Sequence, residues 1–314
     1  MNRALRLLRV SLTVADLSRV QAFYQEALGF APAGAVIEAD PAWARVLGAA
    51  TDARVRTVRL RLGAQEIELV EFDPPGRPYP PGSTSCDLWF QHVAVVVGDM
   101  AAAHARVVAH GGATAISAGG PQRLPASSGG VTAWKFRDPE GHPVELIAFP
   151  PGTGPEAWRD IDRSALTVGL DHSAISVADA GRSTAFYEGV LGLSRVSRQV
   201  NRGPAQERLD GLPGGDVVDV VALRPSVVPT PHIELLGYRV PRGRPAPDRL
   251  ARDVAAERLV LQVEDLPSLL GALEAAGFPA ASRDPVPLAE GSPAALAHDP
   301  DRHALVLVEG AAGT

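Results

Sequence analysis

Short apolar runs recur along the whole chain in a fixed order. The run at residues 7–14 predicts a strand, and the amphipathic stretch that follows it predicts a helix. The same order returns at residues 173–193, with V-A-D, A-F-Y and L-G at matching offsets. Asp16 and Phe23 are seven positions apart, as are Asp179 and Phe186. This agreement indicates an internal repeat.

Two further segments, residues 92–113 and 258–280, share this outline without the Phe-Tyr pair. In each, Asp99 or Asp265 stands where it can cap the helix, and a glycine follows the helix. Shorter apolar or alternating runs after each helix predict three more strands. The sequence therefore predicts four strand–helix–strand–strand–strand units, here called modules 1 to 4. The Pro/Gly-rich stretch at 150–154 predicts two halves, 1–154 with modules 1 and 2 and 155–314 with modules 3 and 4.

Composition narrows the function. The 314 residues are 46% hydrophobic and carry a net charge of −6 with no basic block, which excludes nucleic acid as an expected partner. Cys86 is the single cysteine, so an intrachain disulfide is impossible. No apolar run approaches the ~20 residues of a membrane helix, and Arg6 and Arg9 interrupt the apolar N-terminus. We expect a cytoplasmic protein without a membrane partner.

Two His–Glu pairs stand at equivalent places in the repeat. His92 opens the run HVAVVV and Glu145 lies in HPVELIAF, while His172 opens HSAISV and Glu234 lies in HIELLGY. Imidazole nitrogens and carboxylate oxygens suit Zn, Ni, Co, Mn or Fe. Four such ligands would leave two exchangeable positions in an octahedral shell. The pattern predicts one divalent metal site.

The motifs V-A-D…F-Y…L-G and D-P-E-G-H-P-V-E-L resemble the vicinal oxygen chelate superfamily, which includes glyoxalase I, extradiol dioxygenases and bleomycin-binding proteins. The resemblance covers nearly the whole chain. It implies an α+β fold of four tandem βαβββ modules, paired into two curled eight-stranded sheets. It also implies that metal ligands come from the first and last strands of two facing modules.

The family's ligand positions are filled unevenly here. They hold Arg9 and Glu68 in module 1, His92 and Glu145 in module 2, His172 and Glu234 in module 3, and Arg258 and Val306 in module 4. If module 2 faces module 3, the complete pairs converge. If the modules pair sequentially, each cavity receives half a set. We prefer the central pairing because it explains why the losses fall on the outer modules.

The resemblance implies a metal-dependent isomerase, epimerase or lyase acting on a small substrate with vicinal oxygens. Glu145 or Glu234 would be the catalytic base, with Glu145 ranked slightly first. An extradiol-type ring-cleaving dioxygenase and a non-catalytic binding protein remain alternatives.

Four residues are candidates for substrate binding. Trp89 precedes the first strand of module 2, and Arg123 lies in a glycine-rich loop. Asn201 and Arg202 lie where module 3 should cross the cavity mouth. His232 shares a strand face with Glu234 and is either a further ligand or structural. The remaining histidines are expected at the surface or in turns.

Overall fold

The computed structural model describes residues 3–50, 53–227, 231–281, 284–288 and 291–310. Its helices and strands follow the four predicted modules. Module 1 contains β1 (Ala4–Val14), α1 (Leu17–Glu26), β2 (Ala31–Pro32), β3 (Ile37–Glu38), α2 (Pro41–Val46), β4 (Arg54–Leu62) and β5 (Gln65–Asp73). Module 2 contains β6 (Gln91–Val96), α3 (Met100–His110), β7 (Thr114–Ala115), β8 (Gln122–Arg123), β9 (Thr132–Arg137) and β10 (Pro143–Ala148).

The second half repeats the order with different insertions. Module 3 contains β11 (Gly169–Ser176), α4 (Ala180–Gly189), β12 (Ser194–Arg202), α5 (Pro204–Asp210), β13 (Val217–Arg224) and β14 (His232–Val240). Module 4 contains β15 (Arg258–Val263), α6 (Leu266–Ala275), β16 (Val286–Pro287), β17 (Pro293–His298) and β18 (Ala304–Glu309). Single-turn 3₁₀ helices lie at Ala126–Ser128 and Glu156–Trp158.

The long helix of each module begins at a capping aspartate. Asp16, Asp99, Asp179 and Asp265 each accept a hydrogen bond from the backbone N–H three residues later. Such a cap satisfies one of the N–H groups that the first helical turn leaves without an intrahelical partner. The predicted caps are therefore confirmed in modules 2 and 4, and the aspartates of the V-A-D motifs do the same in modules 1 and 3.

The strands form two sheets, and each sheet joins two modules. The central-module sheet has the order β12-β13-β14-β11-β6-β10-β9-β7, with β8 beside β9. The outer-module sheet has the order β16-β17-β18-β15-β1-β5-β4-β2, with β3 beside β4. The predicted fold class is confirmed, with one short extra strand beyond the expected eight in each sheet. The central pairing of modules 2 and 3 is also confirmed.

The sheets do not follow the predicted halves. Each sheet takes one module from residues 1–154 and one from 155–314, joined along the antiparallel pairs β6–β11 and β1–β15. The two halves are therefore repeats along the sequence, but each sheet combines one module of the first half with one module of the second half. The division of the chain into two domains at residue 154 stays a prediction.

One continuous core packs between the two sheets and the helices. Val93, Val95 and Leu261 contribute to it from the strands, and Phe23 and Leu269 from the helices. Because successive residues of a strand point to opposite faces, the neighbours of Val93 and Val95 face the concave side of the central-module sheet. No helix of the described residues is long and apolar enough to cross a membrane.

Leu261→Ala should destabilise the fold by about 2–5 kcal/mol, because this side chain is fully buried in the main core and its loss leaves a cavity. Urea unfolding followed by circular dichroism measures the change. Leu250→Ala is the matched control, since that side chain is 56% exposed and should change stability by less than ~0.5 kcal/mol. Equal effects of the two changes would contradict the assigned core.

Candidate metal centre

The strand register places the predicted ligands in two rows on the concave face of the central-module sheet. The first row crosses five strands and reads Lys135, Glu145, Ala94, His172 and His232. Cross-strand neighbours on one face have Cβ atoms about 4.5–5.5 Å apart. The row therefore presents a carboxylate and two imidazoles on either side of a single small residue.

The second row runs beside the first. It reads His92, Ala174 and Glu234 across β6, β11 and β14. Ala94 and Ala174 thus occupy the middle of the group, and both are fully buried. Their single methyl groups leave a space into which the longer side chains around them lean.

The four predicted ligand side chains converge on this space. His92 Nε2 lies 2.7 Å from Glu145 Oε2, and His172 Nε2 lies 3.9 Å from the same oxygen. Glu234 Oε2 is 3.6 Å from His172 Nε2. The donor atoms of His92, Glu145 and His172 all lie within 4.8 Å of one another, which is the spacing of ligands around one ion.

Three of the four ring nitrogens of His92 and His172 have no hydrogen-bond partner among the described residues. His92 Nδ1, His92 Nε2 and His172 Nε2 are all buried and unpaired among the described residues. The close approach of Glu145 to His92 does not have hydrogen-bond geometry, since the pair is near in distance but misaligned. Buried polar atoms without partners cost free energy, so nitrogens converging in this way fit a bound cation.

Asp171 holds His172 in this orientation. Its Oδ2 accepts a hydrogen bond from His172 Nδ1 at 2.8 Å, and its Oδ1 accepts one from Trp158 Nε1 at 2.5 Å. A proton on Nδ1 leaves Nε2 free to act as a ligand. Sequence reasoning missed Asp171 because alternation puts it on the face opposite to His172. A register shift between Leu170 and His172 changes that alternation locally.

His232 joins the same group from β14. Its Nε2 lies 3.3 Å from Glu234 Oε1, and its Nδ1 lies 3.8 Å from Asp171 Oδ2. The imidazole is only half-buried and stands at the wall of the cavity. It bridges Glu234 and Asp171, and its donor atoms and those of Asp171 and His172 also lie within 4.8 Å of one another, so both the ligand role and the supporting role stay open.

Burial and the neighbouring charges shift the pKa values of the histidines and glutamates in this group. Burial lowers the pKa of His92. Burial also opposes protonation of His172, but Glu234, Asp171 and Glu145 outweigh it and raise the pKa of His172 to about 9. Burial alone would raise the pKa of Glu145 and Glu234, yet the neighbouring imidazoles bring the pKa of both below the ordinary value. Both carboxylates are held ionised, as metal ligands must be.

A cavity of about 240 Å³ opens onto this group. One side of it consists of the metal-centre residues. The rest of the lining comes from α5, β12 and the 3₁₀ turn at Ala126–Ser128, with the polar side chains of Ser128, Asn201 and Gln206, and from Lys135 of β9. Leu209 and Val220 add apolar surface. Its size and mixed lining fit a small polar molecule.

Of the predicted substrate-binding residues, only Asn201 lines this cavity. It is buried, and its Oδ1 accepts a hydrogen bond from Ser128 Oγ at 2.8 Å. Arg123 and Arg202 are exposed and line a separate open groove with Pro204. They alternate with inward-facing neighbours on their strands, so they point away from the metal centre.

Trp89 also lies outside the cavity. Its indole donates a hydrogen bond to Ser83 Oγ at 3.0 Å and stacks under Arg244, whose guanidinium carbon lies 4.9 Å from the ring centre. It packs with Tyr79 and Val254 in a small cluster of its own. The structure therefore places Trp89 in this packed cluster and not in the lining of the cavity.

The histidines assigned to turns and surface stand away from the metal centre. His142 is buried in the turn before β10, with Nδ1 2.8 Å from Asp138 Oδ2 and Nε2 2.9 Å from the Thr13 carbonyl. His303 Nε2 lies 2.9 Å from the Ser176 carbonyl in the equivalent turn of module 4. Those interactions tie modules to one another across the core.

The outer-module sheet has no comparable centre among the described residues. Arg9 Nε lies 3.6 Å from Glu68 Oε1, and Trp43 of α2 donates a hydrogen bond to the same oxygen at 3.2 Å. Val260 and Val306 stand where the central-module sheet has Ala174 and Glu234, and they belong to an apolar cluster that α2 covers. The central space is therefore filled by side chains.

Arg258 takes the place that corresponds to His172. Its buried guanidinium donates hydrogen bonds to Thr13 Oγ1 at 3.0 Å and to the Ala251 carbonyl at 2.8 Å. Burial lowers the pKa of Arg258 to about 10 although Glu68 acts in the opposite direction. A guanidinium thus occupies the position that the candidate ligand His172 holds in the other sheet.

Comparison with known proteins agrees with this architecture. The sequence profile of the Glyoxalase/Bleomycin resistance protein/Dioxygenase superfamily matches residues 6–146 and 169–307. Because these two matches span most of the chain, the protein belongs to this superfamily. No curated protein matches the sequence.

Solved structures are similar in fold at low identity. Glyoxalase I from Zea mays superposes with a TM-score of 0.62 at 18% identity, covering 98% of this chain and 92% of that one. A mutant form of the same Zea mays enzyme gives a TM-score of 0.65 at 18% identity, with the same coverage. A candidate dioxygenase from Bacillus subtilis subsp. subtilis str. 168 gives 0.58 at 14% identity, with 98% and 86% covered. At such identities the likeness establishes the fold alone.

Asp171→Asn should lower the pKa of His172 by about one unit or more in the metal-free protein, because a carboxylate in contact with an imidazolium stabilises the charged form. Histidine ring NMR across pH 5–10 measures the shift. Asp179→Asn, at an exposed helix cap, is the control and should leave His172 unchanged. An unaltered His172 titration in Asp171→Asn would contradict the assigned contact.

Proposed function

We propose that the protein is a metal-dependent isomerase, epimerase or lyase that acts on a small molecule with vicinal oxygens. The observation that carries the proposal is the meeting of His92, Glu145 and His172 with unpaired ring nitrogens at the floor of a cavity. Two imidazoles and carboxylates suit one divalent ion of the Zn, Ni, Co, Mn or Fe type. A bound ion would polarise a substrate oxygen and stabilise the negative charge that develops when a neighbouring proton leaves.

The chain's own residues divide the remaining tasks. Glu145 lies between both histidines and is almost fully enclosed, so it serves as the fixed ligand. Glu234 is more accessible, with 22% of its side chain exposed, and leans on His232. It stands at the cavity wall, where its carboxylate can reach a proton of the substrate. We therefore assign the base to Glu234, which reverses the order favoured by the sequence alone.

His232 extends the role of Glu234. Its Nε2 is 3.3 Å from Glu234 Oε1 and its ring lines the cavity. A proton taken by Glu234 can pass to this imidazole and return to a different atom of the substrate, as isomerisation requires. Asp171 keeps the same ring in place from its other side.

A ring-cleaving dioxygenase is the second candidate. With Glu234 engaged by His232, the three remaining donors, His92, Glu145 and His172, have the two-His-one-carboxylate composition of non-haem Fe(II) oxygenases. The two candidates differ in their need for O₂, which makes them separable by experiment. For either, we propose a small-molecule partner and action in the reducing cytoplasm, where the buried thiol of Cys86 would persist.

His92→Ala and His172→Ala should each lower bound metal from about one equivalent to near zero, because each removes a ligand nitrogen from the centre. Plasma mass spectrometry of protein reconstituted with Zn, Mn, Ni, Co or Fe(II) measures the occupancy. His110→Ala is the control, since this imidazole lies on α3 beside Glu26. Ala174→Val copies Val260 of the outer-module sheet and should also exclude the ion. Full occupancy in the double variant His92→Ala/His172→Ala would overturn the site.

Glu234→Gln should keep bound metal and lose proton transfer by about 10²-fold or more, whereas Glu145→Gln should lose the metal itself. The measurement is deuterium uptake from D₂O into a panel of 2-hydroxycarbonyl compounds, with the reaction kept under argon and analysed by mass spectrometry.

Oxygen consumption with catechols on the Fe(II)-loaded protein tests the dioxygenase alternative. Turnover that needs O₂ and shows no deuterium exchange would favour the second candidate. Chelator-insensitive ligand binding without turnover would reduce the protein to a binding function.

A further inference from the structure

Almost every lysine-or-arginine position of this chain is an arginine. Of its 30 basic side chains, 29 are arginine and one is lysine, Lys135. This lysine is 3% exposed and lines the cavity of the metal centre. Among the described residues lining that cavity, it is also the one side chain of the Lys/Arg type. The single lysine of the chain therefore lines the cavity beside the candidate metal centre.

Lys135 is held next to the metal centre by the sheet. On β9 it pairs directly with Glu145 of β10, so both side chains lie on the concave face. Its Nζ donates a hydrogen bond to Asp210 Oδ1 at 2.6 Å, at the end of α5. Gln206 Nε2 donates to the other oxygen of Asp210 at 2.7 Å. The ammonium group is thus anchored between the centre and the helix that closes the cavity.

The end of α5 has little freedom to move. Gly211 follows Asp210 with a φ of +64°, and a Cβ there would meet the Ile116 carbonyl oxygen at 2.5 Å. Asp210 is therefore carried on a turn that accepts only glycine at the next position. This fixes the acceptor, and through it the position of Lys135 Nζ.

The hydrogen-bond requirement of this ammonium group is not met by the described residues. An ammonium has three donors, and Asp210 is the one acceptor for Nζ among the residues that the structure describes. A buried charged group needs all its donors satisfied. Since Lys135 borders the cavity, the remaining donors are available to a molecule bound there.

We propose that Lys135 binds an anionic oxygen of the substrate and that the substrate is a small 2-hydroxy- or 2-oxocarboxylate. This rests on the proposed function, since the vicinal oxygens would meet the metal-binding residues while the carboxylate meets Lys135. Asp210, Glu145 and Glu234 outweigh burial and raise the pKa of Lys135, so the group remains a cation and is unsuited to form a Schiff base. Without this cation, the carboxylates around the cavity would repel such a substrate.

A compact cation also suits the space better than a guanidinium. The cavity holds about 240 Å³, and an ammonium is a point charge with rotatable donors, whereas a guanidinium is a wide planar fork. The use of lysine at this one position, in a chain that otherwise uses arginine, agrees with that difference in size.

The test uses oxalate, which combines vicinal oxygens with negative charge, and isothermal titration of the full-length metal-loaded protein. Lys135→Met should weaken oxalate binding about tenfold or more with metal content unchanged, because a charge-assisted hydrogen bond is lost. Arg45→Met, which removes one exposed charge on α2, is the matched control. Lys135→Met/Asp210→Asn removes the buried pair as a unit and avoids leaving Asp210 unpaired. Undiminished oxalate affinity in the folded double variant would overturn the proposal.

A second readout separates this inference from the metal assignment. Protein labelled with ¹⁵N-lysine contains one labelled side chain, so its Nζ resonance needs no assignment. In His92→Ala/His172→Ala, oxalate should still shift this resonance, more weakly but saturably. If the wild-type protein takes up no metal, a saturable shift would sustain the role of Lys135 while the metal proposal fails. A resonance that oxalate never moves would contradict the role of Lys135.

Discussion

The register of β6 against β11 is the constraint on which the functional architecture depends. It sets Ala174 opposite His92 and Ala94 opposite His172, so the imidazoles lie diagonally across two small residues. A slip of one residue would turn every side chain of one strand to the other face, placing His172 in the core. The burial of Val93 and Val95 on the far side fixes the register, since the apolar core accepts them and not their neighbours. The packing of valines on one face of the sheet therefore fixes the positions of the two histidines on the other face.

The two sheets show what the same scaffold becomes under different side chains. In the central-module sheet, small residues between polar ones leave space for an ion and a substrate. In the outer-module sheet, Val260 and Val306 fill that space, α2 covers it, and Arg258 supplies a permanent positive charge.

The repeat, the strand order within each module and the meeting of the four candidate ligands could be predicted from the sequence, because each rests on periodicity or a repeated motif. His92 and His172 were found in this way, and the uneven losses in modules 1 and 4 pointed to the central pairing. Asp171 could not be found, since the register shift before His172 alters the side-chain alternation that sequence reasoning assumes. The packing of Trp89 could not be predicted, because nearness in sequence to His92 does not show where the preceding loop lies. Lys135 could have been noticed as the single lysine of the chain, but a search for hydrophobic periodicity does not consider such counts.

The segment between β10 and β11, residues 149–168, contributes to the candidate site. Phe149 and Pro155 line the cavity, and Trp158 holds Asp171 through its indole N–H. Each half supplies one module to each sheet, so the chain is arranged like two exchanged subunits joined by a covalent strap. Separate halves would have to associate before either concave face existed, and the metal centre would then lack a wall unless this strap was rebuilt. Covalent continuity thus does more than raise the effective concentration of the halves: it holds the Trp158 indole against Asp171, a contact that independent halves would have to form anew.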